Sequence, residues 1–217
     1  MKGGRDMRTA MVRAAVGLGL FAMVTAGVVA FTRAWTEERI AENRLADRHR
    51  LLGEVLPSDL QGIPIQSLLD QTLQLPPNDS LGHSAPFDAW HITNNDQEAL
   101  ILPVTAKDGY NGDIDLLIGI TGRGTISGVR VTQHQETPGL GDKIEHGKSD
   151  WIDTFDGRSL DDPPPDEWGV APDGGAFDAF TGATITPRAV VKAVHHTLVF
   201  ADEESERWQH KGQDNNR

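Results

Sequence analysis

From Ala14 to Phe31 the chain runs 18 residues without a charge, and nearly all of them are apolar or small. At about 1.5 Å of rise per residue, such a stretch spans about 27 Å as a helix, enough to cross a thin bilayer. A soluble domain does not expose a run of this kind, so it divides the chain in two. It predicts a transmembrane helix over residues 14–33 and leaves the residues beyond it to form one body. Lys2, Arg5, Arg8 and Arg13 precede it against only Asp6, a local charge of +3 over residues 1–32. The positive-inside rule then makes residues 1–13 a cytoplasmic N-terminus, sets Trp35 near the outer interface and sends the body across the membrane. Val28-Val29-Ala30 also has the small-residue character of a signal-peptide cleavage site, an alternative that delivers the body to the same compartment.

The formal net charge of the 217 residues is -12, so the part beyond residue 32 carries -15. An acidic body of this kind lacks the basic stripe that nucleic acid requires, and anionic lipid would repel it. Cysteine is absent. That excludes a disulfide framework, a thiolate metal site, a cysteine nucleophile and a cysteine-ligated iron–sulfur cluster. Any electrons handled by this chain therefore travel on an organic cofactor.

Residues 34–86 read as a helical connector. Its first part, Glu37 to Leu56, is a charged amphipathic helix whose buried face is marked by Ile40, Leu45, Leu52, Val55 and Leu56. Its second part, 57–86, is rich in Pro, Gln, Leu and Asp, with one short helix near Ile65–Leu73. Residues 87–205 form the body. Strands are expected at Ala89–Thr93, Ala99–Ala106, Ile114–Ile120 and Thr125–Thr132. Asp108-Gly109-Tyr110-Asn111-Gly112 and Gly122–Gly124 are the turns between them, which predicts an antiparallel meander. Asp161–Gly175 reads as an acidic surface loop. A last helix from near Pro187 carries Val190, Val191, Val194, Leu198 and Val199 at helical spacing, and 206–217 is a polar tail. The expected fold class is α+β: an N-terminal transmembrane helix, then one domain with an antiparallel sheet and packed helices.

The loop before that last helix reads Asp178-Ala179-Phe180-Thr181-Gly182-Ala183-Thr184, then Ile185-Thr186-Pro187. Thr186 is a candidate N-cap with Pro187 at the first helical position, and the unpaired N–H groups of such a terminus attract phosphate. Small residues at 182 and 183 leave the Thr184 hydroxyl open to a bulky partner. The pattern Asp-x-x-Ser/Thr-Gly-Ala-Thr resembles the acceptor motif of flavoproteins that hold FMN by a phosphoester bond to the last threonine, installed from FAD by a flavin transferase. The resemblance implies Thr184 as the attachment residue, with Asp178, Thr181, Gly182 and Ala183 as the recognition motif around it. The residues alone are equally an ordinary capped turn.

Two further motifs precede that loop in order: Gly109-Tyr110-Asn111-Gly112, and Glu136-Thr137-Pro138-Gly139-Leu140-Gly141. Together with a single N-terminal membrane helix and the Pro187-Arg188-Ala189-Val190-Val191 tail, they resemble the G subunits of Rnf-type ion-translocating electron-transport complexes. The C subunits of sodium-pumping NADH:quinone reductases share the same FMN-binding domain and are a close alternative. The resemblance implies an electron-carrying subunit with covalent FMN, not an independent enzyme, in a complex that couples ferredoxin/NAD chemistry to sodium or proton translocation. It implies the other membrane and cytoplasmic subunits as partners, a flavin transferase in maturation, and the bilayer through the N-terminal helix. The location implied is the bacterial inner membrane, single-pass, with the C-terminal domain periplasmic. A tethered flavin-binding regulatory module and a purely structural assembly subunit are the readings from other classes.

The 136–141 motif fits ligand contact on chemical grounds. Pro138 fixes one backbone angle, Gly139 and Gly141 permit close approach to a flat ligand, and Leu140 offers an apolar edge to an isoalloxazine ring. Thr137, Gly139, Leu140 and Gly141 are therefore candidate cofactor-binding residues. Glu136 and Lys143 read as solvated charges, and Glu136 alternatively as a ligand contact. His134 and His146 are expected at the surface, since neither belongs to a metal-binding pattern or a Ser-His-Asp order. Of His195 and His196 in the last helix, one ring is expected to pack and the other to be solvated.

Overall fold

A computed structural model describes the backbone of residues 3–62, 67, 71–94 and 97–214, with side chains described for all of these except 3–10, 34, 37–49 and 205–214. The chain divides into two units, residues 1–47 and 48–217. The first is the leading part of one long helix, α1 (Gly3–Val55). Its stretch Met11–Arg33 is long and apolar enough to cross a membrane, and no protein buries it. Thr25 and Thr32 return their hydroxyls to the carbonyls of Phe21 and Val28, at 3.0 and 2.8 Å, so these polar groups find partners within the helix. The charged helix expected at Glu37–Leu56 continues α1 without a break as far as Val55. Of its expected buried face, Leu52, Val55 and Leu56 are buried, and the side chains of Ile40 and Leu45 lie outside the described ones.

The second unit is built on five strands: β1 (Thr72–Leu75), β2 (Phe87–Asn94), β3 (Gln97–Ala106), β4 (Ile114–Thr121) and β5 (Ile126–Gln133). They pair antiparallel in chain order. Four of them are the expected meander, each slightly shifted or extended at its ends. β1 is the difference: it lies in the stretch read as a connector and pairs with β2 from Thr72↔Trp90 to Leu75↔Phe87. Four residues between Gln71 and the Pro76-Pro77 pair give too short an alternation to be read from sequence. Most of the short helix expected near Ile65–Leu73 falls outside the described residues, and Leu73 belongs to β1.

The run Ala99-Leu100-Ile101-Leu102 in β3 is buried throughout because both faces of the sheet are covered. On one face Leu100, Leu102, Leu116, Ile118 and Val129 join one core with Val190, Val191, Val194 and Leu198 of the last helix, α2 (Ile185–Asp214). On the other, Trp90, Ile92, Ile101 and Leu117 join a second core with Leu52, Val55, Leu56 and Leu60. The end of α1 sits directly on the sheet. Gly119 and Gly128 oppose each other on β4 and β5, and a Cβ at Gly119 would stand 2.2 Å from the Val55 carbonyl oxygen. Ser127 donates its hydroxyl to that oxygen at 2.5 Å, which gives a partner to a carbonyl that the helix end leaves unpaired. Arg130 ties the junction further, to Glu54 at 2.9 Å and Asp153 at 3.1 Å.

The acidic 161–175 segment runs along the surface as expected but is pinned from below. Val170 is fully buried, and the half-buried Trp168 stacks on His195 with ring centroids 5.3 Å apart.

Candidate functional site

The loop that carries Thr184 is held by aromatic anchors. Phe180 is buried edge-on against Trp151 at 5.1 Å, and the Trp151 indole N–H donates to the Asp178 carbonyl at 2.9 Å. Between the anchors and the helix, the Ala183 N–H donates to the Phe180 carbonyl at 3.0 Å and closes a tight turn with Gly182 third, at φ +82°. Positive φ at that position is what a type II turn demands, and glycine supplies it at little cost. Thr181 and Gly182 form the exposed tip; Ala183 and Thr184 are half-buried, and Asp178 is exposed.

α2 begins at Ile185, two residues before the expected start, and Thr186 is not its cap. Thr184 stands at the capping position, where its carbonyl accepts the Arg188 N–H at 3.3 Å as the helix opens. Pro187 still lies in the first turn, where a missing N–H costs no hydrogen bond. Thr186 is fully buried, and its hydroxyl donates to Glu136 Oε2.

That bond corrects the reading of Glu136 as a solvated charge. Glu136 is buried, and its other oxygen accepts the Asn111 N–H at 3.0 Å. Lys143 is exposed, as expected. The loop after Glu136 turns in the same way as the Thr184 loop. The Leu140 N–H donates to the Thr137 carbonyl at 3.1 Å, with Pro138 second and Gly139 third at φ +79°. Asp142 fastens this turn by accepting the Gly139 N–H at 2.7 Å, and the Thr137 hydroxyl accepts the Asn111 side-chain amide at 3.1 Å.

The two turns meet. Leu140 Cδ2 lies 3.8 Å from where a Cβ on Gly182 would stand, and a Cβ on Gly141 would fall 2.9 Å from the Thr186 hydroxyl. Thus Leu140, Gly141 and Gly182 are brought together around the start of α2, with Thr137, Gly139 and Thr184 in the same two turns. Asp178 and Thr181 lie on the outer side of the second turn. Asn111 entered the sequence analysis only as part of the 109–112 motif and not as a site residue, and Thr186 was given the wrong task. The need for space at Gly109 and Gly141 has no meaning in the sequence until the partner is known.

His134 is also corrected. It is largely buried rather than freely exposed: its Nδ1 accepts the Glu136 N–H at 3.0 Å, so Nε2 carries the proton and donates it to Glu145 at 2.9 Å. His146 is exposed, beside Asp153. His195 and His196 are both half-buried, and burial pushes the His195 ring below the usual histidine range, helped by the nearby His196. The cations closest in sequence to Thr184 are engaged with carboxylates. Arg188 grips Asp173 through two bonds of 2.6 and 2.9 Å, which holds that carboxyl below its ordinary value. Lys192 does the same to Asp108 at 2.5 Å.

An FMN-binding domain family matches residues 109–199, which span all three of these loops, and an RnfG N-terminal region family matches residues 1–55. The G subunit of the ion-translocating oxidoreductase complex of Pseudomonas aeruginosa is 48% identical over 92% of this chain and 92% of its own. The proteins of the same name from Shewanella piezotolerans and Vibrio vulnificus are 38% and 41% identical, over 93% and 90% of this chain and 94% and 92% of theirs. The chain belongs to the family of G subunits of ion-translocating oxidoreductase complexes.

Proposed function

We propose that this flavoprotein component of an ion-translocating oxidoreductase complex carries FMN on Thr184 through a phosphoester bond and passes electrons between neighbouring subunits. The observation that carries the reading is the meeting of the two turns at the N-terminus of α2, with Leu140 against Gly182 and Thr184 at the capping position. The residues fit the group. A helix N-terminus favours a phosphate, the exposed Leu140 and Ile185 offer apolar surface, and a Cβ on Gly139 would meet open space. When bound, FMN supplies one- and two-electron chemistry.

The protein's own residues hold and orient the group. Thr184 is a tether used once, in maturation: its oxygen bonds the FMN phosphorus of FAD as AMP leaves, in a reaction run by a flavin transferase. Asp178, Thr181, Gly182 and Ala183 present the tip of the turn to that transferase. Thr137, Gly139, Leu140 and Gly141 form the wall beside the ring. The apolar span of α1 anchors the chain in the inner membrane, and the basic residues before it leave the body on the periplasmic side. Ferredoxin/NAD chemistry and sodium or proton movement then belong to the whole complex.

The test is intact mass and peptide mapping of the chain expressed with a flavin transferase and exported. A gain equal to FMN minus water, mapped to Thr184 and lost in Thr184→Ala, is the expected result. A bare Thr184, with the transferase active on a control substrate, would reduce the motif to a helix cap.

A further inference from the structure

Glu136 is 4% exposed, yet no lysine or arginine pairs with it in the described structure; a backbone N–H and a hydroxyl take up its charge. Removing a carboxylate from water is costly unless hydrogen bonds replace the lost hydration, so a carboxylate kept in such a place has a geometric task. Its bonds reveal the task. Oε1 holds Asn111 in the turn after β3, Oε2 holds Thr186 in the first turn of α2, and the Glu136 backbone opens the 136–141 loop. Three separate segments therefore meet at one side chain. Two glycines make room for it: a Cβ at Gly109 would stand 3.1 Å from Oε1, and one at Gly141 3.0 Å from both Glu136 Cβ and Oε2.

Each of those segments displays one exposed large hydrophobic residue. Tyr110 precedes Asn111 and is 64% exposed, Leu140 precedes Gly141 and is 42% exposed, and Ile185 precedes Thr186 and is 44% exposed. Among the described residues beyond Trp35, these three are the exposed large hydrophobics. Large apolar side chains left in water at the three segments of one site, and at no other described position beyond Trp35, are explained by a flat apolar ligand that covers them.

We infer that Glu136 is the positioning residue of the flavin site: it locks three segments so that Tyr110, Leu140 and Ile185 form an apolar rim around Thr184, on which the isoalloxazine ring seats. This rests on Thr184 as the attachment point. Glu136 itself need not touch the ring. Its effect passes through the Asn111 N–H and the Thr186 hydroxyl, and without it those two donors lose their partner while the rim residues lose their common reference.

The experiment uses the full chain, flavinylated in cells that express a flavin transferase, as wild type, Glu136→Ala, Thr186→Val and Thr186→Ser. The readouts are flavin loading by intact mass, visible circular dichroism of the bound flavin, quenching of its fluorescence by iodide, and the thermal midpoint. Thr186→Ser keeps the hydroxyl and should match wild type in dichroism and quenching. Thr186→Val exchanges only that hydroxyl for a methyl group. It should lose the flavin's visible dichroism and expose the ring to iodide while Thr184 stays loaded, and Glu136→Ala should do the same. Should Glu136→Ala fail to fold, the Val/Ser pair at position 186 carries the test alone. Unchanged dichroism and quenching in Thr186→Val, with only the thermal midpoint lowered, would make the junction purely structural and overturn the inference. A bare Thr184 in wild type would instead overturn the attachment reading, a separate outcome.

Discussion

Thr184 and Thr186 lie two residues apart at the start of α2 and do opposite work: one stands half-buried at the mouth of the site, the other is buried against Glu136. The difference follows from their places at the helix start, Thr184 at the capping position before α2 and Thr186 within its first turn. Their substitutions should therefore separate cleanly. Thr184→Ala should abolish covalent flavin and lower the thermal midpoint by no more than several degrees, because a hydroxyl at the capping position contributes about 0.5–2 kcal/mol. In-gel flavin fluorescence that survives denaturation in this variant would contradict the attachment. His195 sets a second residue-level expectation, in pH. Burial against Trp168 lowers its folded-state value, so the unfolded chain binds the proton more readily. Stability is then complete above the ordinary value of 6.5 and is lost as pH falls through it. His91 acts in the same direction through burial, offset in part by Glu98. Burial raises the Asp156 carboxyl, which acts in the opposite sense, since there the folded chain binds the proton more readily. The thermal midpoint should fall between about pH 7 and pH 5, and His195→Phe, which keeps a ring over Trp168, should make the slope shallower. An unchanged slope in that variant would remove His195 from the account.

At the scale of elements, the meeting of α1 with the sheet depends on the absence of side chains at Gly119 and Gly128. Gly119→Ala places a methyl group 2.2 Å from the Val55 carbonyl and 2.5 Å from the Ser127 hydroxyl, so the helix end or the strand must move. The expected loss is about 1–3 kcal/mol or more, read as a lower midpoint in urea, whereas Gly147→Ala, with nothing within 4 Å, is the near-neutral control. Equal midpoints for the two variants would mean that α1 does not seat there. The strands β2 to β5 and helix α2 were legible in the sequence because their apolar patterns extend over eight residues or more, and turns bearing glycine separate β3 from β4 and β4 from β5. β1 was not legible: it has four residues, and its partner β2 is remote enough to leave no local mark. The site shows the same division. The turns that bear Thr184 and Leu140 announce themselves through glycine, proline and threonine, which act on their own backbone. Glu136 acts on Asn111 and Thr186, 25 and 50 residues away, and no local pattern records a partner at that distance.

At the scale of the whole molecule, the residues of α1 fall in two environments. Its apolar stretch Met11–Arg33 is exposed to whatever surrounds it, while Leu52 and Val55 near its C-terminal end are completely buried in the second core. Truncation should therefore have opposite results depending on where it falls. Deleting residues 1–33 removes the membrane-length segment and leaves every buried residue of both cores. The strongly acidic remainder should be soluble without detergent and should unfold in one transition at a midpoint near that of the full chain. Deleting residues 1–56 also removes Leu52, Val55 and Leu56, which uncovers Trp90, Ile92, Ile101 and Leu117 on the outer face of the sheet. That fragment should aggregate or lose its cooperative transition, although every strand and all three loops of the flavin site remain in the chain. Sedimentation and thermal unfolding of the two fragments distinguish these cases. A 1–33 deletion that stays with membranes in the absence of other subunits would show a second attachment in the body. A 1–56 deletion that stays soluble and folds cooperatively would show that the end of α1 covers the sheet without supporting it.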